Sequence, residues 1–350
     1  MKKTHLITII MFSATTMFAQ NISKKIDSIL NNLHEEHPNT GISLGLYYKD
    51  QVIYSNIGTI NRTDNQKIDE NTVFEIASIT KAITGNLIAQ AIKDKKFNSN
   101  SYIDNYLPPF FELNTNIKNK IKISDLASHQ SGLPDIDFRK LIALNPQQPV
   151  SVINKDSVAN LINNCDTLID YGKYRYSTIG FILLGQILEQ AYGESYEFIL
   201  TEKIIKPIQM KRTFTRNFDV ENVTSGFNLD GGAQELFKWN ITAPAGLIKS
   251  SSADMISYLK HLLYDDSNRS ATSITEQRFY KDDKIEIGLG LNIIQIGDET
   301  IFAKTGDTLG QTSVIAYNQA KKWGLVILIN ESNSKLRNNI FNTIYEQILN

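Results

Sequence analysis

The chain has 350 residues, 41% of them hydrophobic and 21% charged, with a formal net charge of −1, long enough to bury a core as one large domain or two smaller ones. Near-neutrality excludes a nucleic-acid partner, since phosphate contacts need a concentrated basic footprint and the clusters at Lys93, Lys95, Lys96, at Lys118, Lys120, Lys122 and at Lys321, Lys322 are short, interrupted, solvated faces. The single cysteine, Cys165, excludes an internal disulfide, a zinc ribbon and an iron–sulfur site, and the composition excludes collagen, a disordered chain and a coiled coil.

Lys2 and Lys3 precede a short apolar run from Leu6 to Phe18 that ends at Ala19. A charged start, a greasy stretch and a small residue are the marks of a secretory signal peptide, so residues 1–19 are expected to be removed. The run is too short and too interrupted by Thr and Ser for a spanning helix, and no second run of spanning length follows. The expected product is exported, either periplasmic or secreted, with no integral membrane segment.

Residues 22–33 carry Ile22, Ile26, Ile29, Leu30 and Leu33 at amphipathic helical spacing. Gly41 to Tyr48 and Val52 to Ile57 are strand-like around a polar turn at Lys49-Asp50-Gln51, which predicts a hairpin. A polar loop covers Gly58 to Asn71; Val73 to Ala77 is extended, and Ala82 to Ile92 is helical. The chain to about Ser250 then alternates helices and loops, broken at Pro108-Pro109, Gly132-Leu-Pro134 and Gly231-Gly232. Strands return at Ile285–Ile296, Thr300–Lys304, Gln311–Tyr317 and Trp323–Asn330, and Ser334–Leu349 closes as an amphipathic helix.

Strands at both ends with helices between them predict an α+β fold. One antiparallel sheet would join the N- and C-terminal strands, flanked by the terminal helices, beside a mainly helical middle lobe. In domain terms, residues 20–350 form a single unit: an α/β lobe over about 20–77 and 251–350, and a helical lobe over about 78–250. The cleft between lobes is the expected place for a small-molecule site.

Several candidate chemistries fall away on context. Gly41-Ile-Ser43-Leu-Gly45 has the letters of a nucleophile elbow, but a strand rather than a helix follows, so Ser43 is a plain strand residue. His34 and His37 stand near a helix end before Pro38 without a third ligand, which points to a solvated terminus rather than a metal site. His129 is expected to pack in a loop rather than act as a base.

Ser78-Ile-Thr-Lys81 is different. Residues three apart share a helix face, so a lysine amine reaches the serine hydroxyl and, when neutral, can take its proton during attack on a carbonyl. Ser257-Tyr-Leu-Lys260 and Ser332-Asn-Ser-Lys335 have the same spacing, but Ser257 falls inside a helix and Ser332 in a polar turn. Ser78 instead follows an extended segment and opens a helix, where backbone amides and a partial positive charge favour developing negative charge, with Ala77, Ala82 and Gly85 permitting close packing. Downstream, Tyr176-Ser-Thr178 precedes an apolar helix over Phe181–Leu188, and Lys304-Thr-Gly306 ends a strand. If folding brings Lys81 and Lys304 together near Tyr176, mutual repulsion lowers the lysine pKa values and leaves either an amine or the phenol as base.

Ser78-x-x-Lys81, Tyr176-x-Thr178 and Lys304-Thr-Gly306, in that order, resemble the three-motif signature of the serine β-lactamase and penicillin-binding superfamily. The middle tyrosine resembles class C β-lactamases, the related D-alanyl-D-alanine carboxypeptidases and esterases of the same fold. Leu126-Ala-Ser-His-Gln-Ser-Gly-Leu-Pro134, Pro207-Ile-Gln-Met210, Ala245-Gly246-Leu-Ile-Lys-Ser-Ser-Ser-Ala253 and Thr305-Gly-Asp-Thr-Leu-Gly310 agree in order, so the resemblance runs from roughly residue 25 onward.

The resemblance implies that Ser78 is the acylated nucleophile and that Lys81 and Tyr176 share proton transfer. Lys304 and Thr305 would bind a substrate carboxylate, and the Ser78 and Asp307 amides would form the oxyanion hole. Thr178 stands where the family usually has asparagine and is shorter, which argues against efficient turnover of classical β-lactams. Asp307 replaces a small residue, so its carboxylate must point away from the hole. Lys304, where many relatives carry histidine, points back toward β-lactam or D-Ala-D-Ala-type ligands. The implied protein is a monomeric serine hydrolase without metal or cofactor, acting on a small molecule or a peptidoglycan peptide. A carboxylesterase or D-amino-acid peptide hydrolase is the alternative enzyme, and a penicillin-binding sensor the non-enzymatic one.

Overall fold

The computed structural model describes residues 20–63, 65–264 and 269–350; the expected signal peptide, 1–19, lies outside the described residues. The strands are β1 (Ile42–Tyr48), β2 (Gln51–Ile57), β3 (Phe74–Glu75), β4 (Gly226–Phe227), β5 (Ala233–Gln234), β6 (Lys249–Ser250), β7 (Tyr280–Lys281), β8 (Glu286–Ile287), β9 (Asn292–Ile296), β10 (Glu299–Asp307), β11 (Thr312–Asn318) and β12 (Trp323–Ile329). Eight of them form one sheet in the order β2-β1-β12-β11-β10-β9-β8-β7, antiparallel throughout. The expected α+β class and the pairing of N- and C-terminal strands are what the chain adopts, with β1 on β12 from Ile42↔Ile329 to Tyr47↔Gly324.

Alternation along the strands fills two cores. Ile42, Leu44 and Leu46 of β1 and Trp323, Leu325, Ile327 and Ile329 of β12 face one side. There they meet Ile26 and Leu30 of helix α1 (residues 20–36) and Leu336 and Ile340 of the C-terminal helix Ser334–Ile344. Val326 and Leu328, one residue out of phase, face the other side with Met255 and Leu259 of the Ser252–Tyr264 helix. The terminal helices thus cover one face, and the second face carries the rest of the chain. Among the described residues no helix is long and apolar enough to cross a membrane.

The first hairpin turns on Lys49 and Asp50, both at positive φ (48° and 60°), with Tyr48 opposite Gln51, so Gln51 belongs to the strand. Two positive-φ residues make the turn whose twist matches paired strands. Helix α2 (Ile79–Lys93) starts directly after Ser78.

Three segments depart from expectation. Ile285–Ile296 is two strands rather than one, because the amides of Gly288, Leu289 and Gly290 bond to Leu291 O, Thr275 O and Ala127 O instead of a neighbouring strand. The strand expected at Thr300–Lys304 continues to Asp307, since its last residues pair with Thr312, Ser313 and Val314 across a tight turn. The middle of the chain also holds two small strand pairs, β3–β6 and β4–β5; β3 falls in the segment expected to be extended, whereas β4, β5 and β6 are each only two residues long and below the length that periodicity detects.

The looped-out Leu289 backbone lies on α2 at Gly85, where a methyl group would sit 1.9 Å from Leu289 O. Neither backbone can give way cheaply, so Gly85→Ala is expected to destabilise the fold by about 2–3 kcal/mol, read from the shift in a urea unfolding midpoint.

Candidate active site

The β3 strand leads into α2 through Ala77, whose φ of 48° places an alanine in the left-handed region. That conformation disfavours a side chain and persists only where the surroundings enforce it. It turns the chain sharply and leaves Ser78 at the N-cap of α2, yet the Ser78 side chain caps no amide of the helix. A serine at this position ordinarily spends its oxygen on the first turn. Here Ser78 Oγ instead lies 2.7 Å from Tyr176 Oη and 3.2 Å from Lys81 Nζ.

Lys81, one turn along α2, is 2% exposed, and its ammonium also donates to Ala245 O at 2.6 Å. Ala245 belongs to the short helix Ala243–Gly246, packed beside the Ala77–Ser78 backbone. Thr178 does not supply a partner for Lys81. Its amide takes Asp135 Oδ2 at 2.9 Å, and its buried side chain contributes to the cleft wall.

Tyr176 is 44% exposed and reaches Ser78 from the segment just before the Thr178–Tyr192 helix. His129 holds that segment on both sides of the tyrosine. Arg175 N donates to His129 O at 2.7 Å, and Ser177 N donates to His129 Nδ1 at 3.0 Å. The imidazole lies against the Tyr176 ring, tilted by 32° with the ring centres 4.6 Å apart. Burial, reinforced by Lys304 and Lys81, keeps His129 neutral, with a pKa well below the ordinary histidine value. His129 therefore packs in a loop, as expected, and in doing so orients the phenol.

Asp135 was not singled out by sequence. Its two carboxylate oxygens accept from the amides of Thr178 and Ile179, capping the helix that follows Tyr176. It is separated from that helix by more than forty residues, so no local capping pattern announces it.

Strand β10 brings the third motif. Gly306 lies against the turn that carries the serine: a methyl group there would stand 2.4 Å from Ile76 O and 2.9 Å from Ser78 N. Lys304, 5% exposed, places Nζ 4.9 Å from the Tyr176 ring centre, and Lys81 Nζ lies 5.0 Å from the same centre. The Thr305 side chain is exposed into the cleft. The Asp307 carboxylate turns to the C-terminal helix, accepting from Arg337 Nη1 at 2.7 Å and from Thr312 Oγ1.

Burial governs the charges. It drives Lys81 down to about 7, against the opposing pull of Asp135. Lys304 falls to about 8, again chiefly through burial, with Tyr176 raising and Lys81 lowering it. The expected mutual repulsion is thus the lesser cause. Both amines are lowered toward neutrality, Lys81 further than Lys304, so one can accept a proton beside another that can hold an anion.

These groups line one cleft of about 460 Å³, walled by Phe138, Val150, Tyr174 and Phe237. Elsewhere, Ser43 is a buried strand residue bonded to Asn56 and Ser252, and His34 and His37 lie at the end of α1. Among the described residues no group of three or more His, Cys, Asp or Glu side chains is disposed to hold a metal ion.

Comparison with known proteins gives a consistent set of relatives. The chain is 23% identical over 352 residues to a beta-lactamase of Pseudomonas fluorescens, spanning 90% of this chain and 95% of that one. It is 24% identical over 324 residues to protein flp of Staphylococcus aureus (strain MW2), of which it spans 63%, just under two thirds. A solved class C beta-lactamase superposes with a TM-score of 0.83 at 20% identity, over 94% of this chain and 96% of that one. The octameric penicillin-binding protein homologue from Pyrococcus abyssi superposes with a TM-score of 0.81 at 21% identity, over 92% and 76% of the two chains. The Beta-lactamase family model matches residues 26–344, nearly the whole of the described chain, and the protein therefore belongs to the beta-lactamase family.

Proposed function

We propose that the protein is an exported serine hydrolase that forms an acyl-enzyme on Ser78, acting on β-lactam or D-Ala-D-Ala-type amides that carry a carboxylate. One observation carries the reading: Ser78 Oγ is shared between a phenol and a buried amine in a cleft, with a second buried amine 4.9 Å from the centre of the same phenol ring. The charged and apolar leader-like sequence at residues 2–19 supports export to the periplasm or the medium.

In this mechanism the Lys304 ammonium and the Thr305 hydroxyl hold the substrate carboxylate, which sets the scissile carbonyl over Ser78. The Ser78 and Asp307 amides receive the carbonyl oxygen as it gains charge, and Asp307 can serve because Arg337 draws its carboxylate aside. The Ser78 proton passes to the Lys81–Tyr176 pair as the Oγ–C bond forms. Tyr176, on the open side, then delivers a proton to the leaving group as the C–N or C–O bond breaks. Water, losing its proton to the same pair, releases the acyl group and restores the serine.

A second reading, a carboxylesterase or D-amino-acid peptide hydrolase, is favoured by Thr178. Its short side chain is buried and its backbone is tied to Asp135, so that position offers no long amide arm to a substrate. Exposure to a fluorescent penicillin separates the readings: fast labelling and fast release indicate a β-lactamase, and slow release a penicillin-binding peptidase. No labelling, with turnover of aryl esters, indicates the esterase.

Ser78→Ala is expected to abolish the acyl mass shift and to lower turnover by more than about 1,000-fold, with unfolding unchanged; full activity in this variant would sink the assignment.

On a carboxylate-bearing substrate, kcat/KM is expected to rise as pH passes about 7, where Lys81 loses its proton, and to fall beyond about 8, where Lys304 loses its charge. A neutral aryl ester should keep the acid limb and lose the alkaline one.

Asp135 holds the Lys81 pKa up, so Asp135→Asn is expected to shift the acid limb below 7, as measured in the same pH–rate profile.

A further inference from the structure

Three residues before Ser78, Glu75 is 4% exposed, and Lys249, its cross-strand neighbour on β6, is 1% exposed. The mechanism uses neither. Their charged ends do not meet in a close pair: Lys249 Nζ is 3.9 Å from Glu75 Oε1. Both reach the backbone of one residue, and Lys249 Nζ also lies 4.1 Å from the centre of the Phe218 ring. Phe237 N donates to Glu75 Oε1 at 2.6 Å, and Lys249 Nζ donates to Phe237 O at 2.6 Å. The backbone of Lys249 also pairs with Phe214 in both directions, so one residue holds the 214–237 stretch at each end. Phe237 is buried and forms part of the cleft wall, as does Thr308.

Two buried charges without a close contact are a poor way to stabilise a fold, since a well-packed apolar pair does as well or better. Burial pushes the Glu75 carboxyl up and the Lys249 amine down, which marks the same disadvantage. What the arrangement does secure is the position of one residue's backbone, gripped at the N–H of the peptide before Phe237 and at the C=O of the peptide after it by side chains rooted in the strands behind Ser78.

We propose that Glu75 and Lys249 are positioning residues that clamp the Phe237 backbone and thereby set the shape of the cleft wall that selects the substrate's acyl side chain. The selectivity part rests on the Ser78 reading above; the clamp itself does not.

The test compares the full-length protein with the double variant Glu75→Gln/Lys249→Met, which keeps side-chain volume and removes both charges. Two readouts are taken: backbone amide exchange across residues 230–239, and the ratio of kcat/KM for p-nitrophenyl phenylacetate over p-nitrophenyl acetate. The double variant is expected to exchange at least about tenfold faster at Phe237 and its neighbours while melting within about 3 °C of the parent. Its selectivity ratio is expected to change by about tenfold or more, carried by the phenylacetate, with acetate turnover held within about twofold. Glu75→Gln alone, which keeps an acceptor for Phe237 N, should move both readouts part of the way and serves if the double variant does not fold. Unchanged exchange overturns the clamp, and an unchanged ratio overturns its role in selectivity. If the parent hydrolyses neither ester, the selectivity ratio is read instead from acylation by benzylpenicillin over 6-aminopenicillanic acid, where an unchanged ratio again overturns the role in selectivity, and exchange still decides the clamp.

Discussion

The contact of β10 with the turn that carries Ser78 is the constraint on which the rest depends. At Gly306 the strand backbone runs against Ile76 O and Ser78 N with no room for a side chain. That approach joins the last third of the chain to the start of α2, and it fixes where Lys304 and Thr305 stand relative to the serine. The same turn is strained at Ala77, and an alanine stays in that conformation only because β3, β10 and the Ala243–Gly246 helix enclose it. Local strain and long-range closure are two sides of one arrangement: the sharp turn presents the hydroxyl, and the strand holds the turn.

Around that hydroxyl, charge is placed where solvation is poor. Lys81 and Lys304 are both buried, each about 5 Å from the centre of one phenol ring, which offers them π density but not a carboxylate. Neither amine is neutralised by a close acid. Lys81 has a backbone carbonyl and a serine oxygen as partners, while Asp135 acts on it only at a distance. The result is a pair of amines whose proton affinities fall near neutrality instead of well above it, the range in which proton exchange with a hydroxyl is most effective. His129 completes the setting without taking part in it: it is neutral, set against the phenol ring, and bonded to the residues on each side of Tyr176.

Positioning groups form an outer layer drawn from distant segments. Asp135 caps the helix behind Tyr176, Arg337 holds the Asp307 carboxylate, and Glu75 with Lys249 grips Phe237. Each ties a cleft element to a strand or helix built elsewhere in the sequence. This layer is polar, with Glu75, Lys249 and Arg337 buried and Asp135 exposed, in contrast to the two apolar cores on either side of the sheet.

Much of this was readable from residues alone. The strand-like runs at Gly41–Tyr48, Gln311–Tyr317 and Trp323–Asn330 and the helical stepping of residues 22–33 and 334–349 define elements by which atoms avoid water, a property each short segment carries by itself. Ser78 and Lys81 were legible because serine and lysine three apart share a helix face, and their place at a helix start and the resemblance of the ordered motifs at 78–81, 176–178 and 304–306 to a known signature set them apart from the two other pairs of that spacing. What the sequence could not decide was how backbones and charges meet. The loop splitting 285–296 exists because its amides bond to α2's neighbourhood, and Asp135 is a cap only because folding carries it to a helix more than forty residues away. The dominance of burial over repulsion in setting the lysines likewise depends on how much chain encloses them. Side-chain patterning is a local quantity and survives in the sequence; solvent exclusion and close backbone approach belong to three-dimensional space, and only the tertiary structure supplies them.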